Sequence, residues 1–207
     1  MKNIFSLVVA AIPFNFLRVG LYRLFPGYKI DFGSRLGIFT VINVRKCTIR
    51  KARIGRFCKF TGKFSLDIGE GANVGHRNRI YSSGRGIAGC CSIGAQSHIT
   101  NNHLIDATSD FTLGAFSRIA GQGSQFWTHG GQREKTEIVI GVKCYIGSAV
   151  RFAQGVTICD NTYVGLGSVV VHSSDEQGVL LAGNPAKVVK RNITARKSLE
   201  KKKANDL

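Results

Sequence analysis

The stretch from residue 140 to residue 170, IGVKCYIGSAVRFAQGVTICDNTYVGLGSVV, sets Ile140, Ile146, Phe152, Ile158, Val164 and Val170 six apart without interruption. A period of six matches neither the 3.6 of an amphipathic helix nor the 2 of one half-buried strand. It fits short strands joined by regular corners, with one apolar residue on each side. Three sides close a triangular coil of about eighteen residues, and stacked coils bury an aliphatic column while adjacent strands satisfy one another's backbone hydrogen bonds. Glycine follows the apolar residue in Ile140-Gly141, Ile146-Gly147 and Val164-Gly165. The expectation is that Gly and Asn serve the corners, where a positive φ is needed.

The same period runs toward the N-terminus. Ile30, Leu36, Ile42, Thr48, Ile54, Phe60 and Leu66 are evenly spaced, with Thr48 the one break in apolar character. A two-residue slip leads to Ile68, Val74 and Ile80; a further slip leads to Ile87, Ile93, Ile99, Ile105 and Phe111, then Leu113 and Ile119. The reading is therefore an all-β, parallel β-helix domain over 30–191, an N-terminal apolar and basic helical segment over 1–29, and a basic tail over 192–207. With 207 residues, 25 Gly and 3 Pro, the chain suits one folded unit and excludes collagen-like and disordered classes. Its net charge of +17 points to anionic partners.

Residues 4–17 are mostly apolar, but the run is too short to cross a bilayer and contains Pro13 and Asn15. Leu17, Leu21, Leu24 and Phe25 recur at helical spacing with Arg18 and Arg23 between them. Either a helix capping the end of the main domain or an interfacial helix on anionic lipid accounts for residues 1–25. The six cysteines have no CxxC pair and read as reduced, buried thiols of a cytoplasmic protein. No helix-turn-helix, zinc or aromatic-interleaved motif supports nucleic acid as a partner.

The pattern resembles the hexapeptide-repeat acyltransferases over residues 30–191, most strongly in Tyr145-Ile146-Gly147-Ser148, Val164-Gly165-Leu166-Gly167-Ser168-Val169-Val170 and Ala182-Gly183-Asn184-Pro185-Ala186-Lys187. The resemblance implies a left-handed β-helix, assembled as a homotrimer, that transfers an acetyl group from acetyl-coenzyme A without a metal. The rhythm fails over 125–137, QFWTHGGQREKTE, which reads as a polar loop. By the resemblance its His129 is the general base, since a hydroxyl is a poor nucleophile until its proton is removed and imidazole titrates near working pH. What orients His129 stays open at this point.

The same resemblance assigns the coenzyme to Tyr145 as an aromatic wall, to the Ser148 amide near the thioester oxygen, to the Leu166 amide for the pantetheine arm, and to Lys187, Lys190 and Arg191 for the phosphates. Asn101, Asn102 and Trp127 are the expected acceptor contacts. The resemblance further implies, as the acceptor class, a sugar hydroxyl of a bacterial surface polysaccharide or its lipid-linked precursor, with direct transfer expected because no acyl-enzyme nucleophile motif is present. Three alternatives stand beside it: an aminosugar N-acetyltransferase, a non-enzymatic scaffold, and a γ-type carbonic anhydrase using His76, His98 and His103. The register of His98 and His103 relative to Ile93 and Ile99 argues against the last. The basic run Arg45, Lys46, Arg50, Lys51, Arg53, Arg56 and Lys59 contains no acid and is expected to face a membrane or an anionic glycan.

Overall fold

The computed structural model describes residues 2–83, 89–130 and 134–193; Ile87, residues 131–133 of the loop and the tail from 194 onward lie outside them. Two short helices, α1 (Lys2–Ala11) and α2 (Asn15–Arg23), precede a prism of three sheets of seven, nine and seven strands among the described residues, parallel except for the last pair of the nine-stranded sheet. Sheet I begins at Tyr28–Ile30, sheet II at Arg35–Leu36 and sheet III at Val41–Asn43, and each later coil adds one strand to each sheet in turn. Register partners one coil apart, such as Leu36 with Ile54 and Ile42 with Phe60, stack the aliphatic positions as the period predicts.

Thr48 interrupts the six-residue series because the sides of sheet I are wider. Most sheet I strands turn two residues inward, as Cys47 and Ile49 or Cys91 and Ile93, and Thr48 points outward between the first pair. At mid-prism the interior is filled by Phe111, Phe126 and Phe152, with Phe126 and Phe152 stacked at 5.1 Å. These rings support sheet III below the loop at 127–130.

Gly123, Gly167, Asn102 and Asn161 hold positive φ at corners as expected, but they are not alone. Phe39, Phe57, Arg77 and Ala149 also hold the left-handed φ where sheet II turns into sheet III. Several glycines are required instead by stacking: a Cβ on Gly37 or Gly114 would lie 2.3 or 2.4 Å from the backbone of the next coil. Small polar side chains also tie coils together, as when Ser97 donates to the Gly114 carbonyl (2.8 Å) and Ser117 to that of Gly141 (2.7 Å). Cys58 and Cys144 occupy such corner positions, and burial pushes both thiols up to about 11. All six cysteines are free.

The N-terminal helices cap the open end of the prism, pinned by Arg18, which is buried and donates to the carbonyls of Ile12 and Leu36. The face of α2 that reaches the core is Arg18, Val19 and Tyr22, and of the stripe expected from spacing Leu21 and Phe25 pack against it while Leu17 and Leu24 do not. Leu17 and Leu24 are exposed, as are Ile4, Leu7, Val8, Phe14 and Phe16. Among the described residues no helix is long and apolar enough to cross a membrane. At the other end, Ala182–Lys187 does not form another side of the prism: Leu180–Gly183 and Ala186–Lys190 form an antiparallel hairpin that finishes sheet II.

Candidate active site

Sheet III runs through Leu104–Asp106 and, one coil on, Gln125–Phe126, so the polar loop begins after Phe126 rather than at 125. Trp127 still follows the ladder, donating its N–H to Phe152 O at 3.1 Å. Asp106 comes directly after inward-facing Ile105 and has no solvent exposure, although it sits at the outer edge of the sheet. A buried carboxylate is costly unless its oxygens are satisfied. Here Oδ1 accepts from the Thr108 N–H (3.0 Å) and hydroxyl (2.6 Å), and Oδ2 accepts from the Thr128 N–H (3.2 Å) and is joined to His129 Nδ1 in a short contact.

This network supplies the orienting group left open for His129. With the proton on Nδ1 given to Asp106, Nε2 is the acceptor, and the half-exposed ring turns it outward. The Trp127 ring stands 6.3 Å from the His129 ring, edge-on, with its Nε1–H directed to Gln125 Oε1 at 3.4 Å. The arrangement can take a proton from a hydroxyl laid against Trp127. In the sequence the only sign of Asp106 was an acid inside a strand of a chain that has just 12 Asp and Glu.

The remaining predicted residues lie elsewhere. Tyr145 is outward on sheet II, stacked on Tyr163 at 5.8 Å. Ser148 and Leu166 follow it on the corner between sheets II and III, where Gly167 N–H donates to Ser148 O at 2.8 Å. The amides of Ser148 and Leu166 donate to no other residue among the described residues, and the Leu166 side chain is 81% exposed. Asn101 and Asn102 belong to this same corner column, with Asn101 Oδ1 accepting from His76 N–H (2.6 Å), so the structure does not bring them to His129 of the same chain. Ser148 lies three residues before Arg151, the register partner of Gln125, and His129 four residues after Gln125. At about 3.3 Å per residue, roughly 20 Å of sheet III separates the two within one chain.

Lys187 and Lys190 are exposed on the terminal hairpin. Arg191 is instead held by Glu176 through two hydrogen bonds (2.6 and 3.0 Å), which spends its charge within the chain. The three histidines weighed as metal ligands are also engaged separately. His76 Nδ1 accepts from Arg56 N–H, His98 meets Asn73 Nδ2 at 3.0 Å, and His103 is buried between Thr100 Oγ1 and the Ser124 N–H. Burial pushes His103 down to about 4. No group of three His, Cys, Asp or Glu suited to a metal occurs among the described residues.

A hexapeptide-repeat prism carrying a histidine–aspartate pair is the class that fold and site define. No family model matches the chain. Two curated relatives, each a putative colanic acid biosynthesis acetyltransferase WcaF, from Escherichia coli (strain K12) and Shigella flexneri, are 32% identical over 136 residues. The match covers 65% of this chain and 63% of each relative, so the chain spans less than two thirds of their length. Among solved structures, the polysialic acid O-acetyltransferase OatWY superposes with a TM-score of 0.56 at 21% identity, covering 81% of this chain and 85% of that one. A hexapeptide-repeat acetyltransferase from Vibrio cholerae O1 biovar eltor, solved with acetyl-coenzyme A, gives 0.52 at 20% identity over 92% and 84%. The fold is thus the left-handed parallel β-helix of hexapeptide-repeat acetyltransferases.

Proposed function

We propose that this protein is an acetyl-coenzyme A-dependent O-acetyltransferase acting on a sugar hydroxyl of a polysaccharide. The observation that carries it is the His129–Asp106 pair at the outer edge of sheet III, with Trp127 beside it. His129 Nε2 takes the hydroxyl proton as the oxygen attacks the thioester carbon. The tetrahedral oxyanion is steadied by a backbone N–H, and the imidazolium, held by Asp106, returns the proton to the departing thiolate. Relatives named for colanic acid biosynthesis and a fold neighbour named for polysialic acid support a polysaccharide acceptor.

The coenzyme residues fit a thin, extended ligand. The unpaired amides of Ser148 and Leu166, the Tyr145–Tyr163 stack, and the exposed Lys187 and Lys190 lie along the last coils and hairpin. Arg191 is left out of this set, since Glu176 already holds it. Because about 20 Å of sheet separates Ser148 from His129 in one chain, direct transfer requires the corner column of one protomer to meet the loop of the next. That requirement is the argument for a homotrimer, and the place of Asn101 and Asn102 on the same corner column supports them as acceptor contacts offered to the neighbouring protomer. The exposed apolar face of α1 and α2 supports peripheral contact with the inner face of the cell membrane.

Calorimetric titration with acetyl-coenzyme A tests the donor site: micromolar binding that weakens when Lys187 and Lys190 are replaced by Ala supports it, and no binding at millimolar ligand overturns the reading. Light scattering close to three times 22.5 kDa supports the shared site, and a clean monomer removes it.

A further inference from the structure

The basic run at 45–59 is contiguous in sequence but the fold deals it to three faces. Arg50 and Lys51 are spent on Asp67 and Glu70 at 2.5 and 3.1 Å. Arg53 and Arg56 join Arg35 and His76 along a groove on sheet II. Arg45 and Lys59 pass to the outer side of sheet III, where they meet Lys63 just after the run and Arg79 one coil further on.

These last four cations, with Thr61 and Tyr81, line a groove of about 940 Å³ in which there is no carboxylate. None of the four forms an ion pair among the described residues. The register leads from this groove to the catalytic pair. Thr61, Tyr81 and Asp106 are partners on successive coils, as are Lys59, Arg79, Leu104 and Gln125. Coils are spaced at about 4.8 Å, so the Tyr81 end of the groove lies two coils, about 10 Å, from the level of Trp127 and His129. Tyr81 registers both neighbours electrostatically: burial and the Asp106 carboxylate raise its pKa while Arg79 lowers it.

We propose that this groove is the acceptor channel and that it takes an acidic glycan, a chain of sugars bearing carboxylates, laid along sheet III so that one hydroxyl reaches His129. The proposal rests on the acetyltransferase reading and adds the substrate class to it. Cations on successive coils, with no acid among them, match charges repeating along a polymer. The groove holds one aromatic side chain, Tyr81, and so lacks the succession of stacking platforms on which single-stranded nucleic acid is bound.

The test is binding of the full chain, without coenzyme, to oligogalacturonate, with neutral dextran oligosaccharide and oligouridylate as comparisons. The double variant Lys59→Gln/Arg79→Gln is expected to weaken oligogalacturonate binding roughly five- to thirtyfold, at a fraction of a kilocalorie to one per exposed charge contact, and to flatten its salt dependence. The matched control Arg50→Gln/Lys51→Gln removes the same charge from the same stretch of chain on another face, and is expected to bind as the unsubstituted protein does. Equal weakening in both variants would show a general charge effect and overturn the channel. Dextran binding as well as oligogalacturonate overturns the acidic class, and oligouridylate binding more tightly than either overturns the glycan. Since no turnover is read, loss of the channel is distinguishable from failure of acetyl transfer, which the coenzyme titration reports separately.

Discussion

Asp106→Asn isolates what the carboxylate does for His129 with almost no change in volume. Asp106 accepts four hydrogen bonds, two at each oxygen. An amide has one acceptor oxygen, so whichever way Asn is turned, its NH₂ faces two donors: the Thr108 N–H and hydroxyl, or the Thr128 N–H and His129 Nδ1. If the NH₂ faces His129, the ring is driven to the other tautomer and Nε2 carries the proton it should accept. The analogous change in the Ser-His-Asp template costs about 10⁴-fold. Here the side chain is half-exposed and part of the population can keep the competent tautomer, so a loss of about 10²- to 10⁴-fold in kcat is expected, equivalent to about 3 to 5 kcal/mol of transition-state stabilisation. The Kd for acetyl-coenzyme A should stay put, because Asp106 is buried beneath His129 and is not among the coenzyme contacts at Tyr145, Ser148, Leu166, Lys187 and Lys190. Thermal unfolding should register about 1–3 kcal/mol for the buried donors left unmatched. The assay is thiol release from acetyl-coenzyme A, with an acceptor that the unsubstituted protein turns over, paired with calorimetry on the same samples. A kcat within threefold of the unsubstituted protein at unchanged Kd would refute the role given to Asp106.

Three further outcomes are expected. His103 titrates at about 4 when folded and near its ordinary 6.5 when unfolded, so between those values the unfolded state binds a proton that the folded state does not. Stability therefore falls as pH is lowered through that window, by roughly 3 kcal/mol in full, and the slope of Tm against pH should shrink in His103→Gln; an unchanged slope would assign it elsewhere. Gly114→Ala forces a Cβ to within 2.4 Å of the Gly141 backbone and should cost about 1–3 kcal/mol in denaturant unfolding, whereas Gly167→Ala meets no atom within 4 Å and carries only the strain of its φ of +69°. Phe14 and Phe16 are exposed at the capped end, so Phe14→Ser/Phe16→Ser should weaken co-sedimentation with phosphatidylglycerol vesicles about a hundredfold; unchanged pelleting would remove residues 1–25 from membrane contact.

The stacking of the prism was legible because burial repeats: one inward residue per side makes Ile140 to Val170 a record of three sheets at once. The same logic pointed to a break at 125–137, two residues early because Gln125–Phe126 still form a strand, and the family resemblance then singled out His129 within it. The repeat could not show the width of the sheet I sides, which is why Thr48 looked like a defect, or that Gly37 and Gly114 answer to the next coil's backbone rather than to their own φ. Partnerships between coils were equally hidden. Asp106 reaches His129 across 23 positions, Arg191 is claimed by Glu176 across 15, and Arg45 and Lys59 find Arg79 while Arg50 and Lys51 between them turn to Asp67 and Glu70. Periodicity is a property of each residue's own side, inward or outward, and the sequence by itself determines it. Which outward residues become neighbours depends on the exact length of every intervening coil, and only the tertiary structure decides that.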